Sequence, residues 1–204
     1  REVEFDVQPL ISIVVPTYRT PISFMKDMID SVREQSYEKW ELCIADGSAA
    51  GDANDTKAIR VREELNHYAM EDKRIKVVYL KENLGIAENT NQALALATGD
   101  YIGLFDHDDM LTPDALYEIV KAINDQDADV IYTDEDKVSM DGQHYFDPHF
   151  KSDFNLFRFR DNNYICHIFA VKRQVAEQAG YFRKEFDGAQ DFDFILRCCE
   201  KADS

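Results

Sequence analysis

The 204-residue sequence lacks the features that mark several common classes of protein. Its longest apolar run, Leu10–Val15, is interrupted by Ser12 and is far too short to span a bilayer. The N-terminal residues show no signal-peptide pattern. The four cysteines form no Cys-x-x-Cys pair, which favours reduced thiols over a disulfide framework. We therefore expect a cytoplasmic protein.

Basic residues and several well-known catalytic motifs are also scarce or missing. The 23 Lys and Arg stand against 40 Asp and Glu, a formal net charge of −17, whereas a nucleic-acid-binding face needs an excess of basic residues. We therefore expect no nucleic acid as a partner. The sequence contains no Gly-x-x-x-x-Gly-Lys, Gly-x-Gly-x-x-Gly, Gly-x-Ser-x-Gly or His-x-x-x-His. These absences argue against a glycine cradle for phosphate, a serine-hydrolase elbow and a zinc site.

Short β-branched runs alternate with segments of helical periodicity along the first two thirds of the chain. Strands are predicted at residues 10–15, 40–45, 75–80, 101–105 and 130–132, with helices beginning near residues 22, 56, 86 and 112. This alternation predicts an α/β fold with a mostly parallel sheet and helices on both faces. We expect Thr20 to cap the first helix and Gly99 to end the helix that begins at Ile86.

After about residue 137 the pattern changes. Residues 137–148 are predicted to form a hairpin or an irregular loop, with Asp141-Gly142 as a turn signal, and Asn163–Lys172 is predicted to be a strand. Short helices are predicted at 173–179 and 192–201. No repeat or low-complexity linker is present, so residues 1–204 are predicted to form one domain. The first residue is not Met and the last helix runs almost to Ser204, so we expect a piece of a longer protein.

Three carboxylates, Asp106, Asp108 and Asp109, directly follow the predicted strand at 101–105. Carboxylates this close repel one another unless a positive charge lies among them, and a hard divalent cation is the usual solution. Mn²⁺ or Mg²⁺ can keep open positions for the phosphates of a nucleotide. The pattern therefore predicts metal-assisted chemistry on a phosphorylated substrate. The alternative is an Asx-rich turn that caps the helix beginning at Thr112.

Polar residues also follow the other predicted strands, and the carboxyl ends of parallel strands share the edge where ligands bind. Asp46, before Gly47-Ser48, is either a turn residue or an acceptor for a nucleobase N–H or a ribose hydroxyl. Asp191, near the start of the last helix, either stabilises that helix or acts as a general base, and Asp193 is interpreted as structural. His167 lies in an apolar stretch and is expected to be a hydrogen-bonded core histidine.

Taken together, these segments resemble the motifs of family 2 glycosyltransferases. In chain order they are Ile13–Arg19 (opening strand and nucleotide loop), Ala45–Ser48 (base-binding turn), Asn83–Asn91 (helix below the donor), Gly99–Asp109 (metal-binding Asp-x-Asp block) and Gly188–Asp191 (the segment with the catalytic base). The last of these reads Gln-Asp where many family members have Glu-Asp. The segment Thr133–Lys137 resembles the corresponding segment in the bacterial branch of this family, whose members build surface polysaccharides.

The resemblance implies a GT-A fold, Rossmann-like with a mostly parallel central sheet, and an inverting reaction. Asp191 would be the catalytic base, and Asp106 and Asp108 would bind Mn²⁺ or Mg²⁺, with Asp108 as the more direct ligand. Asp134 and Glu135 are implied on the acceptor side. The residues implied to line the nucleotide sugar are Pro16, Thr17, Tyr18, Arg19, Asp46, Asn83, Asp106 and His107.

The resemblance also implies the partners. The donor would be a UDP- or dTDP-sugar, bound mainly by residues 1–109, and the acceptor a saccharide or lipid-linked saccharide on the side of residues 110–204. The product would be a capsule, O-antigen or cell-wall glycan, with the full-length protein at the inner face of the membrane as a peripheral protein. Two alternatives stay open: a sugar-1-phosphate nucleotidyltransferase-like enzyme, and a catalytically silent saccharide- or nucleotide-binding module.

Overall fold

The computed structural model describes residues 5–48, 55–140 and 142–204. Its strands are β1 (Ile11–Thr17), β2 (Trp40–Asp46), β3 (Ile75–Tyr79), β4 (Tyr101–Leu104), β5 (Val130–Tyr132), β6 (Glu135–Val138), β7 (Tyr145–His149) and β8 (Phe169–Lys172). Its helices are α1 (Ile22–Arg33), α2 (Thr56–Glu71), α3 (Ile86–Leu94), α4 (Ala115–Gln126), α5 (Leu156–Asp161), α6 (Arg173–Ala179) and α7 (Gln190–Cys199), with a short 3-10 helix at Lys184–Phe186.

A six-stranded sheet in the order β3-β2-β1-β4-β8-β5 forms the centre of the molecule. Strands β1 to β4 pair in parallel, and β8 lies antiparallel between β4 and β5. The predicted α/β fold with a mostly parallel sheet is therefore confirmed. The insertion of β8 was not predicted, and it places the segment before Phe169 next to the end of β4.

The sheet separates two hydrophobic clusters. Alternate β1 residues face opposite sides, because successive side chains of a strand point to opposite faces. Ile11, Ile13 and Val15 pack with α1, α2 and α4, whereas Val14 packs with α3, α6 and α7. Both faces of the parallel strands are covered, as their nearly continuous apolar sequence predicts.

Two predicted helix ends are wrong. Pro21 rather than Thr20 precedes α1, and the Thr20 side chain makes no capping hydrogen bond. Helix α3 ends at Leu94 with Ala95 as its C-cap, so Gly99 does not end it. A Cβ atom at Gly99 would lie 2.4 Å from the Leu10 carbonyl oxygen. Gly99 is therefore required by the close approach of two chain segments rather than by a helix end.

In the later part of the chain, the predicted strands and helices are present, but some begin at other residues than predicted. Strands β6 and β7 pair antiparallel as the predicted hairpin, and Asp141 of its proposed turn lies outside the described residues. The strand predicted at Asn163–Lys172 begins only at Phe169. Helix α7 begins at Gln190, which places Asp191 in its first turn. Among the described residues, no helix combines the length and the apolar character needed to cross a membrane.

Glu41 of β2 links β1 and β3 near the amino ends of these strands, at the opposite end of the sheet from the polar carboxyl ends. Its side chain is almost fully buried, accepts a hydrogen bond from Ser12 Oγ at 2.7 Å and pairs with Lys76 Nζ at 2.6 Å. The hydroxyl of Thr98 donates a further hydrogen bond at 2.8 Å. Burial would raise the pKa of Glu41, but these hydrogen bonds outweigh it and lower the pKa to about 2.

Candidate active site

The polar ends of the parallel strands meet at one edge of the sheet, as predicted. Thr17 ends β1, Asp46 ends β2, and Asp106 follows β4 after one intervening residue. A cavity of about 60 Å³ opens at the end of β4, and Asp106, His167 and Asp191 all line it. Its apolar lining consists of Val14, Ile86, Leu104, Phe105 and Phe182. The sheet edge and the start of α7 thus share one cavity.

A cluster of two carboxylates and one imidazole lies at the end of β4. One ligand atom each from Asp106, Asp109 and His167 lies within 4.8 Å of the other two. Nε2 of His167 is 3.1 Å from Oδ2 of Asp106. The Asp109 amide donates to the Asp106 carbonyl at 3.4 Å, and this turn brings the two carboxylates together.

The charges in this cluster shift all three pKa values. Burial would raise the pKa of Asp106, but the hydrogen bond and charge of His167 outweigh it and hold this pKa below its usual range. Burial and the neighbouring carboxylates raise the pKa of Asp109 to about 6. Burial would lower the pKa of His167, but Asp106, Asp109 and Asp191 raise it to about 9. The cluster therefore has an excess of negative charge that one imidazolium offsets only in part.

The cluster fits a divalent cation by its donor set. Two carboxylates and an imidazole offer ligand atoms close together, and a bound cation would displace the proton of the imidazolium. This combination of oxygen and nitrogen ligands suits Mn²⁺ better than the all-oxygen set that Mg²⁺ prefers. Asp108, the more direct ligand by resemblance, is not one of the three converging residues. Its side chain is 53% exposed and lies 3.2 Å from Nδ1 of His107.

Asp46 is fully buried in the turn that the sequence suggested for nucleobase binding. Its Oδ1 accepts hydrogen bonds from Thr17 Oγ1 at 3.1 Å and from the amide and hydroxyl of Ser48 at 3.1 and 2.5 Å. Its Oδ2 is also buried but has no hydrogen-bond partner in the described part of the chain. An unpaired buried oxygen is costly, so Oδ2 is the atom of this turn most suited to a ligand's N–H or O–H group.

The loop after β1 and the turn before α3 lie beside the turn that contains Asp46. The amide of Arg19, a residue in the left-handed backbone region with φ 53, donates to Ser48 Oγ at 2.8 Å. The Arg19 guanidinium lies 5.4 Å from the ring of exposed Tyr18. Asn83 Oδ1 accepts from Asn89 Nδ2 at 2.9 Å and thereby fixes the turn that leads into α3. Pro16 lines the cavity.

Asp191 and Asp193 have different surroundings despite their spacing of two residues. Asp191 lines the cavity, and its Oδ2 accepts a hydrogen bond from Asn163 Nδ2 at 3.0 Å. Asp193 instead pairs with the guanidinium groups of Arg183 and Arg197. The geometry therefore agrees with a structural role for Asp193 and leaves Asp191 as the carboxylate that faces the cavity.

Asp134 and Glu135, expected on the acceptor side, both bind Lys151. Asp134 Oδ1 accepts from the Lys151 amide at 2.7 Å, and Glu135 Oε2 pairs with Lys151 Nζ at 3.0 Å. His149 Nδ1 lies 3.3 Å from the other Glu135 oxygen. Burial would raise the pKa of Glu135, but Lys151 and His149 outweigh it and lower this pKa. The two acids thus fix the strand-to-helix connection after β7.

The sequence reasoning missed four residues of this region: Asp109 as a member of the cluster, His167, Asn163 and Lys151. His167 lines the cavity rather than the core, because β8 pairs with β4 and brings the preceding segment to the end of that strand. Spacing along the chain gives no signal for such a contact. Asp109 could have been found by treating residues 106–109 as a turn.

Comparison with known proteins agrees with this geometry. The family model described as "Glycosyl transferase family 2" matches residues 12–184. The chain is 43% identical over 194 residues to the uncharacterized protein y4gI of Sinorhizobium fredii, covering 95% of this chain and 20% of y4gI. It is 32% identical over 198 residues to the O-antigen biosynthesis protein RfbC of Myxococcus xanthus, covering 97% of this chain and 15% of RfbC. The chain thus spans a fifth or less of these two relatives.

Solved structures share the fold. TarS 1–349 of S. aureus in complex with UDP-GlcNAc superposes with a TM-score of 0.72 at 20% identity, covering 95% of this chain and 54% of that one. The mannosyltransferase PcManGT of Pyrobaculum calidifontis, in complex with GDP-Man and Mn²⁺, gives a TM-score of 0.64 at 21% identity, covering 97% and 55%. At these identities the likeness shows the GT-A fold alone. The family match, which spans most of the chain, shows that this protein belongs to glycosyl transferase family 2.

Proposed function

We propose that the chain transfers a sugar from a nucleotide-diphosphate sugar to a hydroxyl acceptor with inversion at the anomeric carbon. The observation that carries this proposal is that Asp191 lines the same cavity as the pair of Asp106 and His167. An in-line displacement needs a base on the acceptor side and charge stabilisation on the diphosphate side. The lining of one cavity offers both kinds of group.

Asp106 and Asp108 are the proposed ligands of Mn²⁺ or Mg²⁺, with Asp109 and His167 as neighbouring donors. Support comes from the convergence of Asp106, Asp109 and His167 and from the Mn²⁺ in the PcManGT complex. When bound, the cation would neutralise negative charge on the leaving nucleoside diphosphate. Without it, the acidic cluster would repel that diphosphate.

Asp191 is the proposed general base. Its Oδ2 accepts the hydrogen bond from Asn163, which leaves Oδ1 to take the proton of the acceptor hydroxyl. The acceptor approaches from the side of Asp134 and Glu135. These two acids contribute to the shape of that side through Lys151 rather than by direct contact with the sugar.

The donor is proposed to be a UDP- or dTDP-sugar, with residues 1–109 as the main nucleotide-binding half. Oδ2 of Asp46 accepts the nucleobase N–H or the ribose hydroxyl. The other proposed contacts are Pro16, Thr17, Tyr18, Arg19, Asn83, Asp106 and His107. The TarS complex supports a uridine donor, whereas the PcManGT complex contains GDP-Man.

The acceptor is proposed to be a saccharide or lipid-linked saccharide in the synthesis of a cell-surface polysaccharide. The similarity to an O-antigen biosynthesis protein supports this setting. The proposal includes a cytoplasmic location with peripheral association at the inner face of the membrane. The two alternative functions are less well supported, because the family match favours neither a nucleotidyltransferase nor a silent module, and Asp191 faces the cavity.

A thermal-shift panel tests the proposed function. The chain is heated with UDP-N-acetylglucosamine, UDP-glucose, dTDP-glucose and GDP-mannose, each with Mn²⁺, with Mg²⁺ and with chelator. We expect at least one nucleotide sugar to raise the melting temperature only with a divalent cation, and the same one to be hydrolysed slowly. Stabilisation that is equal with chelator, or cation-dependent binding without any hydrolysis or transfer, would contradict the proposed enzyme.

A further inference from the structure

One short stretch of chain contacts two carboxylates that line the cavity, Asp191 and Asp106. Asn163–His167, named here the bridging segment, lies before β8. At its start Asn163 Nδ2 donates to Asp191 Oδ2 at 3.0 Å, and at its end His167 Nε2 lies 3.1 Å from Asp106 Oδ2. The bridging segment therefore touches the proposed base and a proposed cation ligand, although these two aspartates belong to different elements.

The side chain of Asn163 is held at both of its polar atoms. Its Oδ1 accepts a hydrogen bond from the amide of Cys166 at 3.4 Å, while its Nδ2 donates to Asp191. Because an amide oxygen cannot donate, this pairing fixes which end of Asn163 faces the carboxylate. The Asp191 carboxylate is thereby tied to the bridging segment rather than only to its own helix.

Lys151 anchors the bridging segment from the β7 side. Its Nζ donates to the carbonyl oxygens of Ile165 and His167, and it pairs with Glu135 Oε2 at 3.0 Å. The Lys151 side chain is only 1% exposed, and these three acceptors match the three hydrogens of its ammonium group. A buried ammonium with this number of partners fixes its surroundings strongly, because each lost contact leaves a buried polar group unpaired.

We propose that Asn163 is a positioning residue for the transfer reaction and orients the Asp191 carboxylate toward the acceptor. We propose further that Lys151 holds the bridging segment in the position from which Asn163 reaches Asp191. The inference rests on the proposed role of Asp191 as the base. Asn163 acts on the base alone. Lys151 holds the segment at the Ile165 and His167 carbonyls, and therefore also acts on His167 and the cation cluster.

The two positions predict different kinetic signatures. The substrate is the nucleotide sugar that the unmodified chain hydrolyses fastest with Mn²⁺, among UDP-N-acetylglucosamine, UDP-glucose, dTDP-glucose and GDP-mannose. In Asn163→Ala we expect kcat to fall roughly 10- to 100-fold, because a misplaced reacting group loses rate, while the donor KM stays within about threefold. The neighbouring variant Asn162→Ala, at an exposed residue, is the matched control and should retain the unmodified kcat.

Lys151→Met, which removes the ammonium but keeps similar length, should lower kcat and also weaken the Mn²⁺-dependent affinity for UDP in calorimetry. Thermal melting of each variant separates these effects from unfolding. If Lys151→Met does not fold, the Asn163→Ala comparison stands alone. Crystal structures of the chain and of Asn163→Ala add a readout besides activity, with the Asp191 carboxylate rotated in the variant.

The outcomes distinguish this inference from the proposed function. If Asp191→Asn abolishes hydrolysis but Asn163→Ala retains the unmodified kcat, the positioning role is wrong and the base assignment stands. A variant in which KM rises and kcat does not change would also overturn it, because that result places Asn163 in donor binding. If Asp191→Asn is fully active, the proposed function itself fails.

Discussion

Nε2 of His167 lies 3.1 Å from Oδ2 of Asp106 and joins the end of β4 to the segment that precedes β8. The contact lowers the pKa of Asp106 and helps to raise the pKa of His167 to about 9, so the pair is ionised at neutral pH. This imidazolium offsets part of the repulsion among the carboxylates at the strand end. A diphosphate needs more positive charge than one imidazolium supplies, which is consistent with a cation at this site.

Asp191→Asn is expected to retain donor binding and to lose transfer by roughly 10²- to 10⁴-fold, because an amide cannot accept the acceptor proton. The measurement is nucleoside-diphosphate release, together with calorimetry of UDP and Mn²⁺. Asp193→Asn is the matched comparison, because Asp193 pairs with Arg183 and Arg197 away from the cavity. It should lower the melting temperature more than the turnover. Unchanged turnover in Asp191→Asn would remove the base assignment.

Removal of either proposed cation ligand is expected to abolish Mn²⁺-dependent nucleotide binding. Asp106→Ala and Asp108→Ala are titrated with UDP in calorimetry, with Mn²⁺ and with chelator, because without its ligands the cation cannot bridge the protein and the diphosphate. Asp114→Ala, at an exposed aspartate before α4 without a capping hydrogen bond, is the control. An Asp108→Ala variant with intact Mn²⁺-dependent affinity would assign the site to Asp106, Asp109 and His167 alone.

Asp46→Asn is expected to weaken nucleoside diphosphate binding about tenfold or more, because a buried acceptor of the ligand's N–H or O–H is replaced by an amide that can present its donor there. The affinity for pyrophosphate with Mn²⁺ should not change, since pyrophosphate has no base or ribose. Calorimetry with both ligands checks this. An equal loss for UDP and pyrophosphate would show that Asp46 acts on the phosphate site or on folding.

Glu41→Gln is expected to lower the free energy of unfolding by about 1–3 kcal/mol at pH 7, because the buried pairing with Lys76 loses its charge. The pKa of Glu41 lies near 2 in the folded chain, below the usual 4.5. The stabilisation is therefore complete above about pH 4.5 and is lost as the pH falls toward 2. Between about pH 4.5 and pH 2, the free energy of unfolding should therefore fall less for Glu41→Gln than for the unmodified chain.

Urea unfolding at pH 7, 4.5 and 3 measures this difference. Glu63→Gln, at an exposed position of α2, is the control and should follow the unmodified chain. If Glu41→Gln shows the same pH dependence as the unmodified chain between pH 4.5 and 3, other carboxylates account for the acid sensitivity.

Local sequence signals predicted the fold well because they depend on neighbouring residues. The β-branched runs and helical periodicities identified β1 to β5 and the helices between them. The place of β8 could not be predicted, since antiparallel pairing with β4 and β5 is a contact between distant segments. For the same reason, no local signal indicates that His167 reaches Asp106.

In the candidate site too, local signals predicted part of the arrangement and contacts between distant residues determine the rest. Asp46, Asp106 and Asp191 were singled out from their positions next to strand or helix ends, and all three lie at the edge that those ends share. The resemblance to the Asp-x-Asp block pairs Asp106 with Asp108. The chain instead turns after β4, with the Asp109 amide donating to the Asp106 carbonyl, so Asp109 rather than Asp108 lies in the cluster.

The most direct test of the account is the anomalous diffraction of Mn²⁺ in crystals of the chain soaked with Mn²⁺ and UDP. We expect one strong anomalous peak at the end of β4, within bonding distance of Asp106 and of a neighbouring carboxylate, and in contact with the diphosphate of UDP. A nucleotide bound with no ion at this position, and with the aspartates turned toward solvent, would contradict it.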